Sequence, residues 1–191
     1  MTSRTLPGET NAPTTSWAYT VWCGGAGSGP QTPCLEVDET QRLDSSSTIT
    51  SRAFYDGYGN LVEIRNPGPN GQDVVRYRFY DSSERDLVDS ISYFVPAYTG
   101  GPGAAAFSTP DVNQPYAQTS YDGLGRALSA TDPLGQTTTT RYTLVCGEAS
   151  DPDCYEKTTV IDANLHQRAT LTSAFGDTLY DERYTGISAA T

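Results

Sequence analysis

An all-β fold, made of antiparallel β-hairpin repeats joined into a curved, meandering sheet, is predicted by three observations. First, an aspartate opens the same short phrase four times: Asp56-Gly-Tyr-Gly59-Asn60, Asp81-Ser-Ser-Glu84-Arg85, Asp122-Gly-Leu-Gly125-Arg126 and Asp162-Ala-Asn-Leu165-His166. Tyr55, Tyr80 and Tyr121 stand before three of these aspartates and Ile161 before the fourth. Self-similarity of this kind determines architecture. Second, the chain resumes after each phrase in short runs suited to strands, such as Leu61-Val62-Glu63-Ile64 and Ala127-Leu128-Ser129-Ala130. Third, helix formers are scarce, Lys157 being the single lysine, while 13 tyrosines suit a sheet with amphipathic aromatic faces.

Taken in chain order, residues 1–16 are rich in Thr, Pro and Ser and read as a flexible lead-in to a β domain over 17–191. Trp17 to Trp22 and Leu35 to Val37 form the first predicted hairpin, Thr48 to Tyr55 and Leu61 to Ile64 the second. Val75, Tyr77 and Phe79 alternate with Arg76, Arg78 and Tyr80, the period of a half-buried strand. Leu87, Ile91, Tyr93 and Val95 are assigned to one face of the next strand, with Asp89 an exception. Residues 96–118 hold five prolines or glycines in their first eight positions and read as an irregular insertion, with one helical turn at most around Ala104-Ala105-Ala106. Thr137 to Val145 pairs with Cys154 to Ile161, and Arg168 to Ser173 with Thr178 to Tyr184.

Each phrase has a turn chemistry. An aspartate at the first turn position accepts hydrogen bonds from amides two or three residues on. Gly59 and Gly125 sit where a positive φ is needed. Glu84 and Leu165 stand in that place in the other two copies, so those turns are expected to be strained or of another type. A second phrase follows at a near-constant distance: Asn66-Pro67 with Gly71-Gln72, Asp132-Pro133 with Gly135-Gln136, and Phe175-Gly176-Asp177 as a copy without proline. Strands then run into Arg76-Tyr77, Arg141-Tyr142 and Arg183-Tyr184.

Over residues 50–185, interrupted near 93–118, this pattern resembles the YD repeat of the RHS (rearrangement hotspot) family, which includes teneurins and the cocoon subunits of toxin complexes. Tyr121-Asp122-Gly-Leu-Gly125-Arg126-Ala-Leu128 followed by Asp132-Pro133-Leu-Gly135-Gln136 carries the resemblance best. It implies one long antiparallel sheet spiralling into a hollow shell. Such shells are non-enzymatic scaffolds that enclose a toxin or other cargo, or make cell-surface and carbohydrate contact. The partners implied are other YD repeats of a parent chain and an encapsulated C-terminal domain or surface glycans. In related shells an Asp-Pro-x-Gly phrase marks self-cleavage; Asp132-Pro133-Leu134-Gly135 lies mid-chain with repeats after it and is read as an ordinary turn.

Composition narrows the functions. A net charge of −11 with eleven scattered arginines argues against a nucleic-acid partner, which needs clustered cations. No stretch approaches the roughly 20 apolar residues that span a bilayer as a helix. The four cysteines fall in two local pairs, Cys23 with Cys34 and Cys146 with Cys154, each bracketing a polar loop; hairpin disulfides are expected, and with them an extracellular or cell-surface location. The cysteine spacings lack the Cys-x-x-Cys pairs of a zinc site. Without an apolar leader after Met1, export is expected to come from a longer parent chain, of which this sequence is a fragment.

Neither a cofactor, a metal site nor a catalytic group is assigned. His166, the one histidine, replaces the Arg or Asn of other turns, and no nucleophile elbow or Cys-His pair is apparent. Asp151-Pro-Asp153 reads as a solvated acidic tip. Trp17, Tyr19 and Val21 share one strand face and, with Trp22, offer the alternative of a stand-alone carbohydrate-binding module that stacks sugars on aromatic rings.

Overall fold

Five-residue turns of one design organise the chain. In the computed structural model, residues 2–5, 14–22, 32–83, 85–147 and 153–184 are described. Asp122 shows the pattern: its N–H donates to the Arg126 carbonyl (2.9 Å), its carbonyl accepts from the Gly125 N–H (3.0 Å), and its Oδ1 accepts from the N–H groups of Leu124 and Arg126 (both 2.9 Å). Asp56, Asp132 and Asp162 repeat that set of bonds residue for residue. Asp81 repeats it as far as the described residues go, since Glu84 lies outside them. At Ser173 a hydroxyl replaces the carboxylate and grips Phe175 and Asp177.

One expectation is corrected here. The Asp132-Pro133 phrase is no separate Pro/Gly turn but a further copy of the aspartate turn. The strain expected of the Asp162 turn is present: the turn keeps the common type by holding Leu165 at φ 65°, where the other copies place Gly59, Gly125, Gly135 and Gly176 at φ 80–89°. A second correction concerns Asn66-Pro67, which end a strand. The turn that follows has Asn70 and Gly71 both at positive φ (57° and 69°) and a Gln72 N–H to Pro69 carbonyl bond, the Asn-Gly hairpin turn that matches strand twist.

The chain divides into two compact units, 1–116 and 117–191. In the first, the strands are β1 (Thr2–Arg4), β2 (Thr15–Val21), β3 (Pro33–Arg42), β4 (Thr48–Asp56), β5 (Leu61–Pro67), β6 (Gln72–Tyr80), β7 (Asp86–Ser90) and β8 (Tyr93–Pro96). Neighbours in sequence pair antiparallel from β1 through β7, and β8 pairs back on β6. Pairing of Thr2–Arg4 with Thr15–Trp17 gives part of the predicted lead-in a structural role. β7 and β8 flank the same side of β6, so the single strand expected there is broken. Ser90 turns its Oγ to the Tyr77 N–H (3.0 Å), and the Ile91 N–H points away to the Pro115 carbonyl (3.0 Å). The second unit is a meander of β9 (Tyr116–Tyr121), β10 (Ala127–Thr131), β11 (Thr137–Cys146), β12 (Cys154–Ile161), β13 (Gln167–Thr172) and β14 (Thr178–Tyr184). All fourteen described strands pair antiparallel.

The three Tyr-Asp hairpins share one more device. Register shifts by a residue beside the turn at Phe54/Tyr55, Phe79/Tyr80 and Ala127/Ser129. Such a bulge interrupts side-chain alternation, which is why Val62 and Glu63, consecutive in β5, are both buried.

The core lies in the first unit. Phe54 (fully buried), Val62 and Ala106 form its centre, with Trp22, Tyr80, Tyr98 and Phe107 packed around them. Phe107 meets Phe54 edge to face at 5.7 Å, so the insertion contributes half of the aromatic contact. Within the insertion Ala104–Ala106 form one 3-10 turn, as expected.

Candidate functional site

On β3, Leu35 and Val37 are only half-buried, whereas the alternate positions Cys34, Glu36 and Asp38 are buried. The polar side of this strand is the covered side. Register carries that face across the sheet. Glu36, Phe54, Glu63 and Tyr77 stand in one cross-strand row, and Asp38, Arg52, Arg65 and Val75 in the next. The insertion lies over both rows.

A loop laid over a sheet has no ladder partners for its own backbone, and unpaired buried amides are costly. Here side chains of the sheet satisfy them. Glu36 accepts from the Gly103 N–H, and both Glu63 oxygens accept from the Ser108 N–H at 3.2–3.3 Å. Asp73 accepts from the Tyr98 N–H (3.0 Å). Arg65, ion-paired with Asp73 at 2.7 Å, donates to the Ala106 and Pro96 carbonyls. At the far end the Asp111 N–H donates to the Tyr93 hydroxyl (3.2 Å). The Tyr98 ring lies 5.1 Å from the Arg52 guanidinium and 5.7 Å from that of Arg65, within cation–π range.

Burial has an electrostatic consequence. Removal from water pushes the Glu63 carboxyl up to about 8, against the opposing pull of the Ser108 N–H and Arg65. Glu36 is pushed up to about 7, chiefly by burial and further by Asp38 beside it, with the Gly103 N–H and Arg52 opposing. Asp38 Oδ1 is buried without a hydrogen-bond partner. Glu63 and Glu36 thus hold protons near neutrality, which suits proton exchange. They are nevertheless sealed beneath the insertion; the adjacent cavity, about 200 Å³, is lined by Thr48, Thr50, Arg52, Arg65, Asp73 and Tyr98. Among the described residues, no cluster of three His, Cys, Asp or Glu side chains is arranged to hold a metal ion.

Sequence reasoning passed over this cluster. Its only local trace is a pair of acids alternating with Leu35 and Val37, and a glutamate inside the apolar run Leu61-Val-Glu-Ile64. The residues it singled out lie elsewhere. The turn residues Asp56, Asp81, Asp122, Asp132 and Asp162 are spread over separate hairpin ends, each engaged with its own turn. His166 pairs with Asp162 of its own turn (Nδ1 to Oδ2, 3.0 Å), in the place where Arg126 pairs with Asp122 and Arg85 with Asp81. Arg126 also reaches Glu156 and stacks 4.1 Å over the Tyr142 ring, which ties the turn arginine to the tyrosine of the Arg141-Tyr142 pair.

Of the aromatic platform, Trp17 and Tyr19 do share a face. They line a groove of about 520 Å³ with Val37, Ala53, Tyr55 and Ile64, on the side of the sheet away from the insertion. Trp22 is a correction: it packs against the core cluster beneath the insertion and takes no part in that groove. Cys146 and Cys154 oppose one another at the end of β11–β12 and form the predicted disulfide. Cys34 is disulfide-bonded; Cys23, its expected partner, lies outside the described residues, as do Asp151 and Pro152. No family model and no curated protein matches this chain.

Proposed function

We propose that this chain is a structural segment of an extracellular β scaffold of the RHS/YD-repeat kind, non-enzymatic in itself, serving cargo enclosure or cell-surface contact. The observation that supports it most is the repetition of one self-contained turn at Asp56, Asp81, Asp122, Asp132, Asp162 and Ser173. A site-bearing fold concentrates its unusual residues, whereas these recur at hairpin ends and lay each strand beside the last. The Cys146–Cys154 disulfide agrees with an oxidising location. The partners are then further repeats of the same design. The test is unreduced mass spectrometry of the native protein from its source. Recovery of these peptides from a long secreted polypeptide rich in Tyr-Asp turns supports the scaffold; recovery as a short, reduced cytosolic protein refutes it.

A second reading, a carbohydrate-binding module, is favoured by the Trp17/Tyr19 groove, where Tyr19 is 56% exposed. A glycan array separates the two. Binding abolished by Trp17→Ala supports the module, and the absence of any binding removes it.

A further inference from the structure

We propose that residues 97–111 form a cover that lifts in mildly alkaline solution, clasped to the sheet by the buried carboxyl groups of Glu63 and Glu36 and exposing Phe54, Val62 and Tyr77 when it opens. The inference is independent of the scaffold reading.

The geometry supplies a cover, a clasp and a hinge. Between Tyr98 and Ser108 the segment has one 3-10 turn of its own, and its backbone is otherwise held by side chains of β3, β5 and β6. Gly100, Gly101 and Gly103 lie within it. An added Cβ at Gly100 would stand 2.4 Å from the Tyr98 hydroxyl and displace that ring, while Gly103 sits at φ 133°, a conformation that favours glycine. Beneath lie the fully buried Phe54 and the nearly inaccessible Val62 and Tyr77, apolar surface that water reaches only if the segment moves.

The charged groups facing each carboxyl decide the direction. Around Glu63 stand Arg65 on its own strand, Asp73 and Tyr77 on β6, Tyr93 on β8, and the Ser108 N–H above. Around Glu36 stand Asp38 on its own strand, Arg52 on β4 and the Gly103 N–H. Burial dominates in both, so each carboxyl binds its proton more tightly closed than open. A group of this kind favours closure fully below its open-state pKa, in the usual carboxylate range. That help drains as pH rises and is gone above the closed-state value, about 7 for Glu36 and about 8 for Glu63. Each carboxyl raises the opening constant by up to about tenfold per pH unit across its window. Tyr77 and Tyr93, themselves raised by burial, ionise only beyond that range.

Hydrogen exchange read by mass spectrometry on the whole protein tests this, with rates corrected for the intrinsic base dependence of exchange. Peptides from 97–111 should lose protection by more than tenfold between pH 6 and pH 9 while β4 and β5 stay protected. Glu63→Gln, which stays neutral, should keep the cover closed at pH 9, and Glu36→Gln should flatten the lower part of the profile. Wild-type protection that is constant over this range, or that fails together with β4 and β5, overturns the proposal even if neither variant folds. An unchanged profile in a folded Glu63→Gln protein overturns it as well.

Discussion

Leu165 occupies a left-handed position that its sister turns give to glycine, and exchanging the two residue types yields a calibrated pair of mutations. A Cβ-bearing residue at positive φ costs about 1–2 kcal/mol. Glycine returns about 0.4–1 kcal/mol of that by gaining freedom in the unfolded chain. The Leu165 side chain is 48% exposed, so little packing is lost with it. Leu165→Gly is therefore expected to stabilise the second unit by about 0.5–1 kcal/mol. The mirror experiment is Gly135→Ala. Gly135 sits at φ 80° and an added Cβ would meet nothing within 4 Å, so its cost isolates the backbone term. A loss of about 0.5–1 kcal/mol is expected there. Urea unfolding of the two variants and wild type, followed by far-UV circular dichroism and compared at equal m-values, measures both. A destabilised Leu165→Gly together with a neutral Gly135→Ala would refute the shared-turn reasoning.

Three further expectations concern the hairpins. Asp122→Ala removes the acceptor for two backbone N–H groups and for Arg126, and should lower the urea midpoint, with Asp122→Asn recovering part of the loss. The Cys146–Cys154 disulfide closes a separation of eight residues, so Cys146→Ser with Cys154→Ser should cost about 2–3 kcal/mol, measured against oxidised wild type. On the acid side, a side-chain bond from Arg85 holds the Asp81 carboxyl below its usual range, and backbone bonds from Arg126 and His166 do the same for Asp122 and Asp162. Their contribution is complete above the ordinary carboxylate pKa of about 4 and drains as pH falls through the lowered values, so unfolding midpoints should drop below about pH 4 and do so less steeply in Asp122→Asn.

The hairpins were readable because their instructions are local. Asp122, Gly125 and Arg126 lie within five residues, and the strands predicted at Thr137–Val145 and Cys154–Ile161 end within a residue of β11 and β12. The equivalence of the Asp132 turn with the others was harder to see, because Pro133 disguises a geometry set by the residue that opens the turn. The buried clasp was out of reach for a different reason. Glu36, Glu63 and Asp73 are far apart in sequence and meet only through the register of four strands, which a bulge at Phe54/Tyr55 shifts by one residue. On β3 the apolar Leu35 and Val37 alternate with Glu36 and Asp38, and hydrophobicity by itself would cover the apolar side. The insertion, polar in its backbone needs, instead chose the acidic side.

Six corners that each close on their own side chain have a kinetic implication. Every rung of the second unit docks on the rung made just before it, so little chain entropy is spent per contact. Assembly can start at any corner and spread outward in both directions. A damaged corner then delays one rung, while the others register without it.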